Sequence, residues 1–147
     1  MMELPAADND ERKFTVRAYV DTQVRFKTLM VVYTNDSFWV ENTMHIMEQL
    51  ISFDKYKVVG FDLPYTGGHV GLDRKVSVAQ LCVVRYVIVY HYCMSTRTCE
   101  RFAKFINSPD YLFGTMDTTN NEKVLKNIGL SCQNLVGIQC EYKILGR

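Results

Sequence analysis

The chain is 147 residues long, which suits one domain able to bury roughly two-thirds of its unfolded surface. Hydrophobic residues make up 48% and charged residues 22%, globular proportions that exclude a disordered tail, a collagen or a mucin-like stalk. Seventeen lysines and arginines against sixteen aspartates and glutamates leave +1, so no overall basic field advertises nucleic-acid binding.

The balance is uneven along the chain. Residues 1–12 hold Glu3, Asp8, Asp10 and Glu11 against the single base Arg12, which leaves 16 of the 17 bases and 12 of the 16 acids, or +4, for residues 13–147. The expected organisation is an acidic, flexible lead at 1–13 and one domain at 14–147. The lead has no apolar run and too many acids for a secretory or organellar signal. The longest apolar stretches, Val78–Val84 and Tyr86–Tyr90, are broken by Gln80 and Arg85 and fall well short of the ~20 residues that cross a bilayer. The expectation is a soluble cytoplasmic or nuclear protein that meets no membrane. Cys82, Cys93, Cys99, Cys132 and Cys140 are odd in number and show no C-x-x-C spacing, which fits free thiols in a reducing compartment. His45, His69 and His91 are scattered, without the pattern of a structural zinc site.

In chain order, Phe14–Val20 and Val24–Tyr33 alternate apolar and polar residues and predict two strands around a turn at Asp21–Gln23. From Asp36 to Phe53 the apolar positions Val40, Met44, Met47 and Leu50/Ile51 recur every three to four residues behind the cap candidates Asn35, Asp36 and Ser37, which predicts an amphipathic helix. The nearly continuous apolar run Tyr56–Leu63 predicts a strand buried on both faces. Three glycines between Tyr65 and Asp73 hint at a phosphate cradle, but no G-K-[ST] follows and strand-like sequence stands where a helix should start, so a hairpin loop is the better reading. Val76–Val84 and Tyr86–Tyr92 predict strands joined by a tight turn at Arg85. Thr98–Asn107 predicts a short helix with Cys99, Phe102, Ala103 and Ile106 inward, stopped by Ser108-Pro109. Tyr111–Met116 predicts a strand, and Thr119 with Glu122 three residues on predicts a capping box for a helix lined by Val124, Leu125 and Ile128 and closed by Gly129. Leu135–Ile138 predicts a last short strand, and Gln139–Arg147 is either an added strand or a loose end. The sum is an α/β fold with a mixed sheet.

The segment Val58-Val59-Gly60-Phe61-Asp62-Leu63-Pro64, the glycine loop and Lys75–Cys82 resemble the first motif and following hairpin of the Werner-type 3′–5′ exonucleases, a DEDD branch of the ribonuclease H-like superfamily, and among them the short plant members. The resemblance runs from about Tyr56 to Gln139, and its most specific parts are Gly60-Phe61-Asp62, Val78–Cys82 and the block from Val124-Leu125 to Gly129-Leu130. It implies a ribonuclease H-like mixed sheet flanked by helices and truncated at the C-terminus. It also implies a chemistry in which two divalent cations clamp the scissile phosphate, one activating water and one steadying the leaving oxygen. Such hard cations need oxygen ligands, which the family supplies as four carboxylates.

Carried across residue by residue, Asp62 matches the first carboxylate, Pro64 stands where the family has Glu, and Asn121 stands where it has Asp. Pro64 offers neither a side-chain oxygen nor a backbone N–H. The fourth motif has no counterpart before Arg147. Asp62 is thus a weak candidate for one metal, and the expectation is no cofactor, with Mg or Mn relevant only to residual activity. Glu122 cannot replace Asn121, because one residue along a helix turns a side chain by ~100°. Asp117 and Asp73 also lie near in sequence, and Asp117 reads as a turn or cap residue. Elsewhere, His91 with Cys93, Ser131-Cys132 and Ser77 lack a recognisable base or nucleophile elbow. Tyr65, Tyr86, Tyr90 and Tyr111 beside Arg74, Lys75 and Arg85 suit base stacking, although in strands of this kind aromatics usually pack the sheet.

In the family a later segment covers part of the central sheet. Its lack here implies an apolar sheet face that recruits another protein or a second copy. The reading is therefore a catalytically inactive exonuclease-like interaction module. The alternatives are a weak metal-dependent exonuclease and a passive binder of single-stranded nucleic acid.

Overall fold

The computed structural model describes residues 13–22, 27–63, 78–92 and 99–138. The acidic lead at 1–12, Pro64, the glycine loop with Asp73, the Cys93 partner proposed for His91, and the tail at 139–147 lie outside these residues, as do Tyr65 and Ser77.

Apolar alternation and short turns build a seven-stranded sheet: β1 (Thr15–Asp21), β2 (Thr28–Thr34), β3 (Val58–Asp62), β4 (Ala79–Val83), β5 (Tyr86–Tyr90), β6 (Leu112–Thr115) and β7 (Leu135–Gly137). Their spatial order is β1-β2-β5-β4-β3-β6-β7. The pairings make β2, β5, β3, β6 and β7 run one way, with β1 and β4 against them. The parallel neighbours need crossovers, and three helices supply them: α1 (Ser37–Ser52) before β3, α2 (Glu100–Ile106) before β6 and α3 (Thr118–Asn127) before β7. Each connection steps in the same direction along the sheet, so right-handed crossovers place all three helices on one face. The contacts agree. Phe105 of α2 stacks edge-on against Phe113 of β6, and Asn121 of α3 hydrogen-bonds Thr115.

Between the helices and the sheet lies the core. Val40, Met44, Met47 and Ile51 of α1 meet Val32, Leu81, Val83 and Ile88 of the strands. Burying each such side chain contributes about 1.5–3 kcal/mol. Asp36 starts α1 by accepting a hydrogen bond from the Phe38 N–H at 3.0 Å. Arg17 of β1 lies over the Trp39 ring, 4.6 Å from its centroid, and ties the outer strand to that helix. Gly129 closes α3 at φ +77, with its N–H on the Lys126 carbonyl and the Leu130 N–H on the Leu125 carbonyl, a Schellman motif. Val84 and Arg85 make the two-residue turn between β4 and β5, and Val84 sits at φ +56, where glycine is usual.

Several expectations need correction. β3 is buried on one face only, because Val59 and Phe61 face the helices while Val58 is 46% exposed. Its continuous apolar sequence therefore reflects an apolar outer face, not a double cover. The cap of α3 is Asp117, whose carboxylate accepts from the Asn120 N–H at 3.1 Å. The helix thus begins ahead of Thr119, and Glu122 is an exposed mid-helix residue with no capping role. Aspartate wins because it accepts at least as well as threonine at this position. In α2, Phe105 is buried and Ala103 only half-buried. Thr34, Asn35, Thr43, Thr115 and Asn121 are buried polar residues that no hydrophobic pattern announces. Among the described residues no helix is long and apolar enough to cross a membrane.

Candidate functional site

The five codirectional strands end on one edge of the sheet, at Thr34, Tyr90, Asp62, Thr115 and Gly137. From β3 the chain continues toward β4 and β5 on one side; from β6 it continues toward β7 on the other. The gap between the ends of β3 and β6 is thus a topological switch point, the place where open α/β sheets form a ligand crevice.

Asp62 is the last residue of β3, opposite Gln80 of β4, and its side chain is exposed. Strand alternation puts it on the outer side with Val58 and Gly60. A hollow of about 120 Å³ opens there, lined by Gly60, Asp62, Gln80, Cys82 and Val87. Asn121 belongs to the other side. It is 1% exposed, sits on the sheet-facing side of α3, and its Nδ2 donates to Thr115 Oγ1. The fold therefore brings Asp62 and Asn121 to neighbouring strand ends but on opposite faces. Asp117 is engaged at the helix cap. Among the described residues no three His, Cys, Asp or Glu side chains converge as a metal-binding group. Each of two dications takes about six oxygen ligands, one or two of them carboxylate, so the pair needs several carboxylates between them. Among the described residues, one exposed carboxylate and a buried amide that donates its hydrogen bond elsewhere do not fit that pair.

The thiols of the described residues do not offer another chemistry. Burial pushes Cys82 and Cys99 above the ordinary thiol value and Cys132 up to about 11, which disfavours the reactive thiolate near neutrality. Ser131 is exposed beside Cys132, with no base brought to either by a described hydrogen bond.

Sequence reasoning missed two features. Phe14, Tyr33 and His91 form an aromatic cluster at the strand-end edge, with Tyr33 and His91 centroids 4.5 Å apart and Phe14 5.4 Å from His91. Desolvation lowers the His91 pKa. The signal was available: Tyr33 precedes the last residue of one strand, His91 follows the last residue of its parallel neighbour, and Phe14 leads into the strand beside them. The second feature is a groove of about 560 Å³ along α1 and α2, walled by Glu41, Glu48, Glu100, Arg101 and Asp110. An ion pair between Glu48 and Arg101 bridges it. Its residues come from distant parts of the chain, so no local motif could have disclosed it.

The outer face of the sheet carries many apolar residues. Alternation directs Val16, Ala18 and Val20 of β1, Leu29, Val31 and Tyr33 of β2, and Val87 and Val89 of β5 away from the helices. Cys82, Val58 and Leu112 continue the face through β4, β3 and β6. No described helix lies over it. Among the described residues only Ile138 folds across its far corner, where it packs against Gly114.

No family model matches the sequence, and no curated protein matches it by sequence. Solved structures do match by shape. The Nibbler EXO domain of Aedes aegypti superposes with a TM-score of 0.57 at 15% identity over 78% of this chain and 56% of that one. The EXD2 exonuclease domain gives 0.64 at 11% identity, covering 79% and 58%. Escherichia coli RNase D, an exoribonuclease involved in structured RNA processing, gives 0.56 at 13% identity, covering 71% and 27%. The EXD2 domain has been solved after soaking in Mg and GMP, and in Mn and GMP. The chain spans a little over half of the first two and about a quarter of the third. It has the mixed-sheet, ribonuclease H-like fold of these exonuclease domains.

Proposed function

We propose that this chain is a degenerate relative of the plant Werner-type 3′–5′ exonucleases that has lost cleavage chemistry and acts, in the cytoplasm or nucleus, as a protein-docking module. One observation carries the reading: at the switch point Asp62 is, among the described residues, the single acid left uncommitted, while Asn121 spends its amide on Thr115 and Asp117 spends its carboxylate on the cap of α3. So little negative charge among the described residues supports the reading that a pair of cations is not held. The docking half of the reading rests on the outer sheet face. Its strand positions carry aliphatic and aromatic residues and, among the described residues, neither lysine nor arginine, a composition that suits protein and gives phosphates no partner.

The alternative, a weak metal-dependent exonuclease, is favoured by the exposed position of Asp62 at the crevice of this fold. A labelled single-stranded oligonucleotide incubated with the protein and Mg or Mn decides between them, with Asp62→Ala as control. The docking reading expects identical, intact traces. Shortening that disappears in Asp62→Ala overturns it in favour of the nuclease. Calorimetric titration of the same sample with Mn should show no stoichiometric binding of two ions.

A further inference from the structure

We infer that the occupant of the outer sheet face is a second copy of this chain, packed face to face. The inference rests on the docking reading above and names its partner. Three properties of the face lead to it. Charge comes first: along the outward positions of β1 to β6 the only side chain charged near neutral pH is Asp62, and it stands at the strand-end border. A neutral face meets its own copy without repulsion, whereas a charged partner would find nothing to pair with.

Area comes second. Six strands spaced ~4.8 Å apart, with about five residues of ~3.3 Å each, give a footprint of roughly 30 by 17 Å. That is about 500 Å² per copy and about 1,000 Å² for the pair, the lower bound of a specific interface. Shape comes third. The hollow beside Gly60 and Cys82 holds about 120 Å³ and adjoins the valine ridge of Val31, Val87 and Val89. A two-fold axis near the middle of the sheet sets each ridge over the partner's hollow, the self-complementary arrangement of an isologous dimer. Two twisted sheets in this relation lie ~10 Å apart with strands about 30° from alignment.

The test is light scattering of the full chain over a wide concentration series. The mass should rise from one chain to two. Val31→Glu and Val89→Glu put a carboxylate at the centre of the face and should raise the dissociation constant by at least about 100-fold, while Tyr19→Glu, on the other side of β1, leaves it unchanged. A dimer indifferent to both face variants overturns the inference. Because a glutamate variant can fail to fold, the unaltered protein supplies a second reading. Cys82 lies on the face, so its alkylation, followed by the mass of its peptide, should slow as concentration rises; a constant rate in a sample whose mass doubles also overturns the inference. A chain that stays monomeric yet binds an apolar dye, and loses that binding in Val89→Glu, overturns the second copy and leaves the docking reading standing. A monomer with no dye-binding surface ends both.

Discussion

Asn121 owes its burial to one bond, and the consequences are measurable. Its Nδ2 donates to a threonine hydroxyl that is itself 1% exposed. Asn121→Ala strands the Thr115 hydroxyl and should cost about 1–3 kcal/mol in urea unfolding. Asn121→Asp restores the acid of the family pattern but buries a carboxylate on the side of the sheet away from Asp62. It should destabilise the protein and leave an oligonucleotide uncut. His91 gives a pH dependence. Its folded-state pKa lies below the ordinary 6.5 because its ring is desolvated. Between the two values the unfolded chain holds more protons, so stability rises with pH. The contribution is complete above about 6.5 and is lost as pH falls through the folded value. Thermal melts from neutral to mildly acid pH should therefore show a decline that His91→Asn flattens. A decline of equal size in the variant would assign it to other groups.

Element boundaries were legible where chemistry punctuates the pattern and blurred where it does not. Asp36 and Gly129 mark real helix ends, and the Val40–Ile51 stripe is the buried face of α1. The start of α3 was misread because two residues near it can cap, and the hydroxyl three residues ahead of a glutamate looked like a box. Substitution separates them: Asp117→Ala should cost about 0.5–2 kcal/mol in the unfolding free energy, whereas Thr119→Ala stays within a few tenths. Gly129→Ala, forced into a left-handed backbone, should cost about 1 kcal/mol. β3 was misjudged for a different reason. Hydrophobicity reports that both of its faces are apolar, but not whether anything covers the second, because that depends on elements distant in the chain.

For the molecule as a whole, the fold was readable because strand, hairpin and crossover signals fall in an order that few topologies satisfy, and the Gly60-Phe61-Asp62 motif picked among them. The site was only half readable. The places of Asp62 and Asn121 in the chain were evident, but their separation onto opposite faces depends on a three-dimensional register: alternation along β3 and the Asn121–Thr115 bond. If one carboxylate is all the edge offers, millimolar Mg or Mn should leave the melting temperature within about one degree of that in chelator, since a ligand raises stability only as far as its concentration exceeds its dissociation constant. A rise of several degrees that Asp62→Ala removes would show a competent cation pocket. Finally, the hairpin between β4 and β5 bends through a β-branched side chain held at φ +56. Val84→Gly should relieve this misfit and toughen the protein by about 1 kcal/mol without touching core, edge or outer surface. Natural selection has thus left an unused reserve of robustness in a single loop position, and laboratory evolution for heat tolerance should find it early.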